Sequence, residues 1–259
     1  MIPANAVTAW SVDHPWPTRE QVEQDLLLSR AICAIAQDDY LSHELVFRGG
    51  TALHKLHLKH PYRYSEDLDY VRSSATGIGP LTQTLSRLGA DLGYTVNTRV
   101  SQHPKVYWRT TATTGVPLRI KIEVNTHERS PALPLIQRTH SVDSPWWSGT
   151  AAVRTFAPAE LMATKIRALY QRSKGRDLFD LWLALEQLRL PAPAILAAFA
   201  PYRPDGLTAT RARDNLARKL QDPLFRNDLD PLVTAWPDNY HVEAAAAQIS
   251  DQILDHLDD

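Results

Sequence analysis

Phe47-Arg48-Gly49-Gly50-Thr51-Ala52-Leu53-His54-Lys55, followed after a short gap by Ser65-Glu66-Asp67-Leu68-Asp69-Tyr70, decides how this chain folds. His43 to Phe47 predicts a short strand ending in Gly49-Gly50, and Thr51 to Leu58 predicts a helix stopped by His60-Pro61. Glycines after a strand let the backbone turn sharply and approach a ligand. The first amides of the following helix, with its dipole, favour an anion, so a phosphate fits there. Tyr64 to Val71 reads as a second strand, on which Asp67 and Asp69 project from one face while apolar Leu68 turns to the other. Two such carboxylates repel one another unless a cation neutralises them, and magnesium carrying nucleotide phosphates would do so. Gly-Gly alone is commonly a turn, and Asp-x-Asp alone is commonly a solvated strand edge. Their order and proximity make the pair informative.

Upstream, Thr18 is placed to cap a helix, with Gln21 three residues on as an imperfect capping box leading into Val22, Leu26, Leu27 and Ile32. Downstream, Leu81 to Leu92 carries Leu81, Leu85 and Leu88 on one helical stripe. Tyr94 to Val100, Val106 to Thr111 and Leu118 to Asn125 alternate with period two and read as neighbouring strands. In the last of these, Leu118, Ile120, Ile122 and Val124 face the core, while Arg119, Lys121 and Glu123 face away. Glu123 is thus a third carboxylate that can meet Asp67 and Asp69. Without the aspartate pair it would read as a surface residue paired with Arg119 or Lys121, and with the pair present the ligand reading is favoured.

From Pro158 the pattern becomes helical. One helix runs from Pro158 to about Arg172, and after Gly175 a second buries Leu178, Leu181, Trp182, Leu185 and Leu188. Pro191 to Pro204, rich in proline and alanine, reads as a connector, and the region from Thr208 onward as helical with two proline interruptions. The expected class is α/β, of the α+β kind: a mixed sheet flanked by helices over residues 1–155, then an α-helical lobe over 156–259 that completes a nucleotide cleft.

The 259 residues are 44% hydrophobic and 22% charged, which suits a folded chain with a substantial core. With 28 basic and 29 acidic side chains, overall positive charge is excluded as a means of gripping nucleic acid, so any polyanion must meet a local patch. Arg203, Arg211, Arg213, Arg218 and Lys219 offer one such patch, and a solvated helix surface accounts for them equally well. The single cysteine, Cys33, lies in an apolar run and fits a reducing compartment as a small buried hydrophobe. No apolar stretch reaches membrane-spanning length and no secretory leader is evident, so the expected location is the cytoplasm, with no membrane partner. His54, His57 and His60 splay across a broad helical arc and read as a polar face rather than a metal site. Trp146-Trp147 reads as a packing pair in a connector, not as a base-stacking platform.

Gly49-Gly50-Thr51 followed by Asp67-Leu68-Asp69 resembles the signature of the polymerase-beta-like nucleotidyltransferase superfamily, with threonine standing where serine is usual. The longer text, together with Lys165-Ile166-Arg167-Ala168-Leu169-Tyr170-Gln171-Arg172 and Gly175-Arg176-Asp177-Leu178-Phe179-Asp180, is similar to the AbiEii/AbiGii toxin family, which includes the MenT-type toxins. The match covers roughly residues 40 to 190. The resemblance implies a nucleotidyltransferase fold and transfer of a nucleotide from an NTP, with release of pyrophosphate. It implies magnesium in a two-metal site on Asp67, Asp69 and Glu123, with Lys165 and Asp177 completing the catalytic set. Nucleotide contacts are expected from Gly49, Gly50, Thr51, Lys55, Lys165 and Arg176, and Asp180 stands as the alternative to Asp177. The acceptor it implies is RNA, with the tRNA 3′ end foremost, and the protein partner a cognate antitoxin. Transfer to a small molecule or protein, and a nucleotide-binding regulatory module without turnover, are the competing readings.

Overall fold

Thr18 and Gln21 form a complete capping box, not an imperfect one. In the computed structural model, which describes residues 2–100 and 103–258, the Gln21 amide donates to the Thr18 hydroxyl at 3.2 Å and the Thr18 amide to the Gln21 side chain at 3.0 Å. They start α2, Arg19–Gln37, which follows a short helix α1, Ala4–Asp13. Asp38 caps a further turn, α3, Asp39–Glu44, by accepting from the Tyr40 and Leu41 amides. That cap keeps His43 and Glu44 helical, so the strand expected over His43 to Phe47 starts later, as β1, Leu45–Arg48.

The glycines form the first turn of a helix instead of a turn before one. Helix α4, Gly49–Ala52, passes directly into a π-helical turn, Leu53–His57, ending short of His60-Pro61. Then come β2, Asp67–Arg72; α5, Gly79–Asp91; β3, Thr95–Arg99; β4, Lys105–Thr111; and β5, Pro117–Asn125. Two further strands had no counterpart in the expectation: β6, Ile136–Val142, and β7, Gly149–Thr155. Trp146 and Trp147 lie between them, half-buried, with the Arg30 guanidinium 5.0 and 5.9 Å from their rings.

Among the described residues these strands form one seven-stranded mixed sheet, ordered β3-β4-β5-β2-β1-β7-β6. Strand β2 runs antiparallel to β1 and parallel to β5, so the site-bearing strand is central. One face of the sheet is covered by α2, which packs on β5 and β7, and by α5, which packs on β3 and β4. Leu26, Leu28, Ile32, Leu85, Trp108 and Ile122 are completely buried there, each contributing about 1.5–3 kcal/mol of apolar burial. The unit so formed comprises Met1–Pro131 and Leu135–Phe156.

The second unit comprises Ala132–Pro134 and Ala157–Asp259. It contains α6, Pro158–Gln171; α7, Gly175–Glu186; α8, Ala192–Ala197; α9, Ala209–Leu220; α10, Pro223–Arg226; and α11, Val242–Gln252. The stretch read as a connector is therefore structured: α8 and a 3-10 turn at Ala200–Tyr202 bury Ile195, Phe199 and Tyr202. Buried Glu160 holds this unit together, accepting from the Ala132 and Leu133 amides at 2.6 and 3.0 Å and from the Tyr202 hydroxyl at 2.5 Å. Gly175 is required by close approach, since a Cβ there would stand 2.3 Å from the Phe225 carbonyl oxygen.

Candidate active site

Strand register decides which charges meet. Asp69 lies opposite Arg48 of β1 and, on its other side, opposite Glu123 of β5, while Asp67 lies opposite Lys121. Because side chains alternate, all five stand on the sheet face that α2 and α5 leave open. Lys121 Nζ sits 2.7 Å from Asp67 and 3.3 Å from Glu123, and Lys105 approaches Glu123 at 3.4 Å. Glu123 stands opposite Asp69 in the register and is paired with Lys121 and Lys105. Arg48 bonds Glu128 at 2.6 Å, and Glu128 is fixed in turn by an Asn125 turn.

Asp69 is the least compensated of the group. Burial raises its pKa, with the charges of Asp67 and Glu123 acting in the same direction and Arg48 and Lys121 offsetting only part. Burial would lower Lys121, but its hydrogen bond and charge contacts with Asp67 win, and its pKa is raised. A hard divalent cation fits this donor chemistry: two carboxylates on one face, one of them held at an electrostatic cost that a cation would relieve. Among the described residues no three acidic, histidine or cysteine side chains converge as a metal cluster, and here Lys121 and Lys105 engage Glu123 and Lys121 engages Asp67.

The glycines permit two close approaches. Gly49 has φ +82°, and a Cβ on it would lie 2.6 Å from Asp69 Oδ2. A Cβ on Gly50 would lie 2.3 Å from the guanidinium of buried Arg63. Gly49→Ala is therefore expected to lower stability by about 1–3 kcal/mol through left-handed backbone strain and to displace Asp69. A thermal melt paired with a transfer assay checks this, and an alanine variant that melts and turns over as the wild type does would refute it.

Thr51, expected to hold phosphate, instead donates its hydroxyl to the main-chain oxygen of Asp67 at 2.6 Å and lies 2.8 Å from the Ser65 hydroxyl. It joins α4 to the start of β2 and so positions the Asp67 strand. Lys55, also expected at the nucleotide, is buried against Asp25 at 2.6 Å and Ser29 at 2.9 Å, with Trp10 donating to the same Asp25 oxygen. Burial would raise Asp25, and Lys55 and His14 more than offset it, so its pKa is lowered. His54 is buried and His57 half-buried, not a polar face, and burial pushes His57 down to about 4.

In the helical unit Lys165 bridges Asp177 and Asp180, 2.9 Å from each, and Arg172 adds bonds of 2.7 and 2.8 Å to Asp177. Lys165 and both aspartates are buried. Burial raises Asp177, but Lys165 and Arg172 win and hold it below the ordinary carboxylate range. Neither aspartate is chosen over the other: both face Lys165. Arg176, another expected nucleotide contact, lies 3.2 Å from Asp228. Of the groups just described, Lys105, Lys121, Arg63, Asp25 and Arg172 had been given no role at the site from sequence. Lys121 carried a legible signal, its place on the polar face of β5 between Arg119 and Glu123.

A mixed sheet in which a helix opening on two glycines follows one strand and lies against an aspartate pair on the neighbouring strand fits a nucleotidyltransferase. Residues 30–249 match the family described as nucleotidyl transferase AbiEii toxin of type IV toxin–antitoxin systems, and the chain belongs to that family. It is thereby a toxin nucleotidyltransferase, with an NTP as substrate and an antitoxin as its counterpart. Among solved structures, MenT4, a nucleotidyltransferase toxin from Mycobacterium tuberculosis, is 19% identical, with a TM-score of 0.49 over 95% of this chain and 97% of that one. An antigenic nucleotidyltransferase-like protein from Paracoccidioides brasiliensis is 17% identical, with a TM-score of 0.40 over 85% and 96% of the two chains. No curated protein matches the sequence. Among the described residues no helix is long and apolar enough to cross a membrane.

Proposed function

We propose that this toxin transfers a nucleotide from an NTP to the 3′ hydroxyl of an RNA, tRNA foremost, in the cytoplasm and with magnesium. The observation that carries the reading is the electrostatic state of the Asp67–Asp69 pair: two same-face carboxylates, one with a raised pKa, beside a helix start whose first turn has no side-chain cap. Asp67 and Asp69 would hold the metal, and Glu123 stands next to Asp69 as a third donor. Bound magnesium would neutralise triphosphate charge and make the acceptor hydroxyl more acidic. The first amides of α4, which has no side-chain cap, would offer hydrogen bonds to phosphate oxygens. Thr51 holds β2 in register with this turn. In the helical unit, buried Lys165 and Asp177 form a charged cluster that holds exposed Arg172 through Asp177, and half-exposed Arg176 lies against Asp228.

Incubating the protein with magnesium, each labelled nucleoside triphosphate and total tRNA tests this reading. Label should enter tRNA, and only with divalent metal present. Transfer to a protein or small-molecule hydroxyl instead would replace RNA as acceptor. NTP binding without pyrophosphate release would favour a regulatory module.

A further inference from the structure

The open sheet face continues past the aspartates over β5, β4 and β3, and its composition changes sign as it does. Strand register aligns Lys121 with Tyr107 and Asn97, Arg119 with Arg109 and Thr95, and Glu123 with Lys105 and Arg99. Thr95, Asn97, Arg99, Arg109 and Arg119 are exposed, and Lys105, Tyr107 and Lys121 are half-exposed. Beyond Glu123 this face carries no acid on these three strands.

Arg109 and Arg119 are directly opposite one another across the β4–β5 ladder, an arrangement of like charges that destabilises a sheet unless an anion lies between or above them. Among the described residues no carboxylate reaches Arg99, Arg109 or Arg119 as an ion-pair partner. Arg119 instead lies over the Tyr107 ring, 5.8 Å from its centroid. The C-terminal basic region differs in this respect: Arg203 pairs with Asp258, Arg213 with Asp255, and Lys219 donates to the Tyr170 and Arg172 carbonyls. Its positive charge is partly neutralised within its own unit, whereas that of the sheet face is open.

We propose that this face, with Arg109, Arg119 and Tyr107 at its centre and Arg99 at its edge, seats the acceptor as a single RNA strand whose 3′ end points to Asp67 and Asp69. The proposal rests on RNA being the acceptor. The arginines meet phosphates, and Tyr107 supplies a ring on which an unpaired base stacks; cations interleaved with an aromatic on a flat surface suit a single strand. Scale agrees: Tyr107 is one strand spacing, about 5 Å, from Lys121, and Arg119 is two residues, about 7 Å, further along β5. A strand lying on the arginines therefore reaches the carboxylates within a nucleotide or two.

The test is fluorescence anisotropy of a labelled single-stranded oligoribonucleotide with a free 3′ hydroxyl, titrated with wild type, an Arg109→Gln/Arg119→Gln variant, and Tyr107→Ala at several salt concentrations. An Arg203→Gln/Arg211→Gln variant tests the C-terminal region in parallel. Removing the two sheet arginines should weaken binding at least about tenfold at low salt and make the dependence of log K on log salt shallower by about 1.4, two phosphate contacts on a single strand. Tyr107→Ala should weaken binding with the salt slope unchanged. Binding of a fluorescent ATP analogue should stay at the wild-type value in all three variants, and the sheet-arginine variant should melt no lower than the wild type, since it removes two like charges that face each other. Wild-type affinity and slope in the sheet variants, with RNA bound by the wild type, would overturn this surface and leave the RNA reading standing. No RNA binding by the wild type would overturn the RNA reading, and this surface with it.

Discussion

Asp69→Asn is expected to lower nucleotide transfer by roughly 10²–10³-fold or more, the scale of removing one charge-stabilising group from an active centre, while raising the melting temperature. The two effects share one cause. Asp69 is half-buried beside Asp67 and Glu123, and its pKa is raised. The folded protein therefore binds this proton more readily than the unfolded chain does. Stability falls as pH climbs from the ordinary carboxylate value of 3.8 through the raised one, and the full penalty is present above the raised one. Asparagine removes the charge, the penalty and the cation site together, and is close in shape to aspartate. Thermal melts at pH 7 and pH 4, beside single-turnover transfer, separate the consequences. The variant should gain stability over wild type at pH 7 and lose most of that advantage at pH 4. Wild-type transfer by Asp69→Asn would remove Asp69 from the metal site, and an unchanged melt at pH 7 would remove the electrostatic argument.

What could be read from the sequence was local in its physics. The Thr18 cap is a bond between residues three apart, and the alternation of β3, β4 and β5 repeats every second residue. The same-face placement of Asp67 and Asp69 follows from strand geometry alone. What escaped depends on partners distant in the chain. Strand β7 is paired with β6 on one side and parallel to β1 on the other, with Phe47 opposite Thr155, and its alternation of Ala151, Val153 and Thr155 is carried by small residues. Thr51 and Lys55 carried the right chemistry for phosphate, but their partners, Asp67 and Asp25, are set by how α4 packs on β2 and by how the π-helical turn meets α2. The lysine at 121 is an ordinary strand residue until the β2–β5 register brings it opposite Asp67. The sequence thus placed the acids on one face and said little about the cations around them, because acids spaced two apart on one strand share a face without help, whereas a cation's partner depends on which carboxylate the fold puts next to it.

Lys165→Met is expected to destabilise the protein by about 3–5 kcal/mol, because it takes from two buried carboxylates the ammonium that now bridges them. At this chain length that corresponds to a melting temperature lower by roughly 6–20 °C. The sign of the pH dependence provides the sharper test. In the wild type Asp177 has a depressed pKa, so its ion pairs contribute stability that is fully present above 3.8, the unfolded value, and lost as pH falls through the folded one. Without Lys165, burial, already the largest influence on Asp177, is opposed by Arg172 with one cation fewer. The folded Asp177 carboxyl then takes up a proton more readily than in the wild type, so the stability of the variant relative to the wild type should improve on going from pH 7 to pH 5. A triple variant, Lys165→Met with Asp177→Leu and Asp180→Leu, removes the stranded charges and should recover much of the lost stability, since apolar groups of similar size can replace a buried ion cluster. That rescue of folding without rescue of transfer would separate the two roles of the cluster, holding α6 against α7 and orienting Arg172. If Lys165→Met instead melts as the wild type does and loses only transfer, the ammonium is not a structural bridge but is withdrawn from the aspartates to meet phosphate during the reaction.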